Sequence, residues 1–191
     1  MCARFTVDHE VIQEVYTLTD RQSAGFSDLS PGEIRPTDLA PVISEENGTL
    51  VGNAMQFGIR IGQDNRLIIN SRKETIDEKP SFRDLFRAHR CVIPAVSFVE
   101  WDAQKQPVSF TLPDRQLLFL AGIFRPEGPQ NAFTVITAPA NASVERIHPR
   151  MPVILQREDL EVWLSGNYRE IIGKALPSLA HDQRFEQLSL F

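Results

Sequence analysis

Short β-rich segments punctuated by turn residues fill the sequence between residues 39 and 156, and helices are only interspersed among them. LAPVIS (39–44), TLVGNAMQFGI (49–59), RLIIN (66–70), CVIPAVSFVEW (91–101), PVSFTL (107–112), LLFLAGIF (117–124), AFTVITA (132–138) and VILQ (153–156) carry the β-branched and aromatic residues that suit a pleated surface. ENG (46–48) reads as a hairpin turn between the first two. There is no regular βαβ alternation. The order therefore predicts an α+β fold with a mostly antiparallel, barrel-like β core and peripheral helices.

Helical signals are fewer. In VDHEVIQEVYTL (7–18), Val7, Val11, Ile12, Val15 and Leu18 recur with a helical period. SFRDLFRAHR (81–90) follows a proline, with Ser81 as its expected cap, and NASVERI (141–147) is expected to be a short helix capped by Asn141. REDLEVWLSG (157–166) is amphipathic, its apolar positions being Leu160, Val162, Trp163 and Leu164, and Gly166 ends it. The stretch 25–41 is rich in Pro, Gly, Ser and Asp and reads as a surface loop.

No repeat or linker divides the 191 residues, so a single domain over 1–191 is expected, with its motifs in 2–165 and a C-terminal tail at 166–191. No apolar run approaches the roughly 20 residues that span a bilayer, and the N-terminus lacks a secretory pattern, which makes the cytoplasm the expected location. Cys2 and Cys91 form neither a disulfide framework nor a zinc-type spacing, and Cys91 reads as a small core residue. A net charge of −5 argues against broad, salt-driven duplex binding while leaving room for a local basic groove.

Four stretches carry candidate chemistry. In MCARFT, removal of Met1 would leave Cys2 with an α-amine and a thiol on adjacent carbons; otherwise Cys2 is a start-of-chain residue without a role. In INSRKET (69–75), Asn70, Arg72 and Glu74 alternate and would face one side of a strand end, as a binding groove requires, or would form a charged turn. In SFVEW (97–101), Glu100 lies between Val99 and Trp101, where desolvation raises a carboxyl toward proton-transfer range unless the side chain faces outward. In RIHPRMP (146–152), prolines stiffen a segment that presents His148, an imidazole suited to acid–base work, and Arg150, a guanidinium suited to anions.

In this order, MCARF, NSRKET, RCVIPAVSFVEW, ITAPAN and IHPRMPVIL, with a closing WL in a helix, the chain resembles the SRAP (SOS response-associated peptidase) family from Cys2 to about Trp163. The resemblance implies covalent capture of abasic sites in single-stranded DNA through a thiazolidine crosslink at Cys2, shielding the lesion in the DNA damage or SOS response. It implies a self-modifying protein without metal or organic cofactor, acting as a monomer and nucleoid-associated when engaged on damaged DNA. By motif, Asn70 would orient the N-terminal residue and the opened sugar, Glu100 would shuttle protons, and His148 would assist ring opening and crosslink reversal. Arg4, Arg72 and Arg150 would hold phosphates flanking the lesion.

The chain departs from the family pattern at Ala3, usually Gly; at Phe57-Gly58, usually Trp-Gly; and at Ser97 to Trp101, usually G-F-Y-E-W. Its 58–70 segment is shorter than usual. Phe57 is a candidate stacking ring against DNA, or else a core residue. Two other functions are open to these residues: a cysteine peptidase with Cys2 as nucleophile and His148 as base, and a non-catalytic single-strand binder using the three arginines.

Overall fold

The computed structural model describes residues 2–126 and 130–182. At its centre a ring closes in the order Leu39–Glu46, Thr49–Phe57, Ala132–Pro139, Leu118–Arg125 and Arg90–Ala95, the last pairing again with the first. Four of these pairings are antiparallel, and the one between Thr49–Phe57 and Ala132–Pro139 is parallel. Closure leaves no edge within the ring, and the expected barrel-like core is present. Asn47 and Gly48 join the first two strands at φ 54° and 79°, the left-handed pair a two-residue hairpin turn needs.

An antiparallel sheet lies beside the ring in the order Ala180–Asp182, Pro107–Thr111, Ser97–Trp101, Arg4–Val7 and Gly32–Ile34. The stretch 91–101, one segment in the sequence reading, breaks at Val96 and passes from the ring into this sheet. Val96 donates its N–H to Thr6 O at 2.9 Å, which ties the corner to the N-terminal strand. Apolar side chains fill the space between ring and sheet, among them Phe5, Phe98 and Phe110. A second apolar layer, built around Trp163, Phe86 and Ile43, seats the helices outside the ring.

The helices differ in detail from the sequence expectations. The first runs His9–Leu18, because Val7 is used by the strand and the Asp8 carboxylate accepts the Val11 N–H at 2.9 Å as cap. The second is Pro80–Ala88 with Lys79, not Ser81, at the cap; proline at the first position has no N–H to satisfy. Residues 141–147 form turns rather than a helix. Asn141 Oδ1 still accepts the Ser143 N–H at 3.1 Å, as a cap would, while its amide donates to Leu176 O and Pro177 O at 3.3 and 2.7 Å and so anchors the C-terminal part of the fold.

The stretch 25–41 is more than a loop. It contains the buried Phe26 in a 3₁₀ turn and the edge strand Gly32–Ile34, whose Ile34 packs inward. The expected tail is also part of the fold as far as Asp182, through the helix Tyr168–Gly173 and the strand Ala180–Asp182. Residues 183–191 of that tail lie outside the described residues, as does Met1. No described helix is long and apolar enough to cross a membrane.

Candidate functional site

The strand Ala132–Pro139 supports most of the site. Along one edge it pairs in parallel with Asn70–Arg72, and near its end it pairs antiparallel with Arg150–Pro152. Two motifs distant in sequence, NSRKET and IHPRMP, therefore flank one strand. Cys2 and Glu100 arrive from the neighbouring sheet, where the strands Arg4–Val7 and Ser97–Trp101 are paired with Arg4 opposite Val99.

Cys2 is fully buried. Asn70 Nδ2 donates to its carbonyl oxygen at 3.0 Å, while Asn70 Oδ1 is buried without a hydrogen-bond partner among the described residues. Burial pushes the Cys2 thiol well above the usual thiol range, and the negative charge of nearby Glu100 pushes it further. Glu100 is itself only 1% exposed. Desolvation raises its carboxyl above the ordinary range, against the pull of His148. His148 Nδ1 lies 3.9 Å from Glu100 Oε2 and is seated by the main chain of Arg150, whose N–H stands 3.1 Å and whose carbonyl 2.9 Å from the same nitrogen.

Cys2, Asn70, Glu100 and His148 are thus brought to one place. The arrangement combines a carboxyl that readily keeps a proton, an imidazole beside it and a backbone-held cysteine, which suits stepwise proton transfer at a nucleophile. Among the described residues no group of three His, Cys, Asp or Glu side chains stands together to hold a metal ion.

The arginines differ from one another. Arg72 is exposed, and no ion pair engages it among the described residues. Arg4 bonds Glu33 at 3.3 Å and lies 4.9 Å over the Trp101 ring, on the outer face of the second sheet, where it lines a concavity of about 730 Å³. Arg150 is engaged by Glu74 through both terminal nitrogens, at 2.5 and 3.0 Å.

The stacking reading of Phe57 is corrected. Its ring is fully buried, stacked on Phe133 at 5.2 Å and edge-on to Phe5 at 5.4 Å, so it fills the core and has no face to offer a base. The sequence reading gave no role to Glu74, although its alternation with Asn70 and Arg72 was the available signal. Glu33 and Trp101 as partners of Arg4 had no local signal, since strand pairing alone brings them together.

The model of one protein family, described as SOS response associated peptidase (SRAP), matches residues 1–189. The chain is 34% identical over 186 residues to "Abasic site processing protein YoqW" of Bacillus subtilis (strain 168), across 86% of this chain and 80% of that relative. It is 30% identical over 193 residues to "Abasic site processing protein YedK" of Escherichia coli (strain K12), across 94% and 85%. Among solved structures, a Bacteroides thetaiotaomicron protein superposes with a TM-score of 0.78 at 24% identity, covering 94% of this chain and 90% of that one. A phage-related protein of Bordetella bronchiseptica gives 0.78 at 20% identity, covering 97% and 95%. The likeness to these two structures carries the fold alone.

Proposed function

The chain belongs to the SOS response associated peptidase (SRAP) family, and on that premise we propose that it captures abasic sites in single-stranded DNA covalently through Cys2. Relatives named as abasic site processing proteins support the lesion. The observation that carries the chemistry is the meeting of Asn70, a buried Glu100 and His148 at Cys2.

Once Met1 is removed, the Cys2 α-amine, with an ordinary pKa of about 7.7–8.0, has a usable neutral fraction at pH 7. It attacks C1′ of the ring-opened sugar aldehyde, whose opening His148 assists. The resulting carbinolamine takes a proton from Glu100 and loses water, giving an iminium. The Cys2 sulfur then adds to the same carbon while its thiol proton returns to the Glu100 carboxylate. One C–N bond and one C–S bond form, one water leaves, and nothing is oxidised or reduced.

The raised thiol fits this order. A sulfur that stays protonated leaves the amine to act first and closes the thiazolidine only when an iminium awaits it. A peptidase nucleophile works as a thiolate and needs no free α-amine, so blocking the amine separates crosslinking from peptide cleavage. Arg72, and Arg4 and Arg150 once released from their carboxylates, would hold the flanking phosphates.

The test uses protein freed of Met1 and an oligonucleotide with one abasic site, resolved on a denaturing gel. A shifted covalent band is expected, and Cys2→Ser or a chemically blocked α-amine should abolish it. No band with the processed protein, or an undiminished band from either control, overturns the reading.

A further inference from the structure

Glu74 is the one member of the NSRKET alternation that the chemistry above leaves unused. Its carboxylate faces the end of the Arg150 guanidinium, Oε1 at 2.5 Å from Nη1 and Oε2 at 3.0 Å from Nη2. That two-point geometry is also the one a guanidinium offers to a backbone phosphate. The two partners differ in burial: the Arg150 side chain is 17% exposed and that of Glu74 42%.

Arg150 does not depend on Glu74 for its place. Nη2 also donates to Thr137 O at 2.6 Å and to Thr137 Oγ1 at 3.2 Å. Thr137 is fully buried, and its hydroxyl donates in turn to Ser71 O at 3.3 Å. The Arg150 main chain is paired with Pro139. The guanidinium is therefore anchored from beneath, and the carboxylate covers its outward end.

We propose that Glu74 is a specificity-determining residue: in the free protein it occupies the phosphate-facing end of Arg150, and a DNA strand gains that contact only by displacing it. The pair is neutral as a whole, so it offers little to passing polyanions, and only a strand threaded with a phosphate on Arg150 recovers the charge. This rests on the single-strand reading given above.

The experiment measures binding of an unmodified, fluorescently labelled single strand by anisotropy at low salt. It compares wild type, Glu74→Gln, Arg150→Gln and the double variant, with abasic-strand crosslinking run in parallel. Glu74→Gln should bind roughly two- to fivefold more tightly, the range an exposed ion pair is worth, and the gain should vanish in the Arg150→Gln background. Glu74→Asp, charged but shorter in reach, should fall between the two. Equal or weaker binding by Glu74→Gln, or a gain that survives without Arg150, overturns the proposal. Failure of wild type both to crosslink and to bind overturns the function reading and this one with it.

Discussion

Phe57 separates core from DNA wall, and Phe57→Ala measures which it serves. The ring has no exposed surface and is in contact with Phe133 and Phe5. Truncating such a buried phenylalanine costs about 3–5 kcal/mol, from lost transfer energy plus the cavity left behind. Little collapse is available to fill that cavity, because Phe57 N–H is bonded to Asp38 O at 2.8 Å and Gly58 N–H to Phe133 O at 2.7 Å, which fixes the backbone on both sides. For a chain of this length the loss lowers the melting temperature by roughly 6–20 °C. Thermal melting by circular dichroism reads it. Below the melting range, affinity for an intact single strand should stay within about twofold of wild type, whereas a lost stacking contact would cost about fivefold to over a hundredfold. A melting temperature within about 2 °C of wild type, together with a large loss of strand affinity, would refute the core assignment.

Glu100→Gln should slow crosslink formation by about 10²–10⁴-fold in single-turnover gels, the usual worth of a positioned proton-transfer group. The same change should raise stability at neutral pH: burial lifts the folded-state pKa of Glu100, so the wild-type fold favours the protonated form and loses stability as pH rises through that raised value. The advantage of the variant in melting temperature should therefore shrink on acidification below the ordinary carboxylate range. Arg90→Met removes the donors that meet Trp163 O, Leu164 O, Phe86 O and Arg87 O at 2.6–3.0 Å. Leaving these helix-end carbonyls unpaired should lower the melting temperature by roughly 5–15 °C without changing crosslinking by the protein that remains folded.

Much of the fold was legible from local chemistry. Alternating β-branched segments located most of the strands, and Asn47-Gly48 set the hairpin because few other residues tolerate two positive φ angles in a row. The misreadings have a common cause. The Asn141 oxygen does accept the Ser143 N–H as a cap does, but residues 142–147 stay as turns, and the amide of the same side chain is tied to the distant carbonyls of 176 and 177. The stretch 25–41 looked like a loop because Pro, Gly and Asp mark turns, while the partner that makes Gly32–Ile34 a strand is the N-terminal strand.

The site divides in the same way. The residue types and their order named Cys2, Asn70, Glu100 and His148 as candidates, because a nucleophile and its proton carriers are chemical identities written in the chain itself. Burial, pairing and charge balance were not written there. Folding put Phe57 inside, set Glu33 and Glu74 against Arg4 and Arg150, and desolvated Glu100 beside Cys2. These properties depend on which distant segments exclude water from one another, and only the closed ring and the sheet beside it determine that.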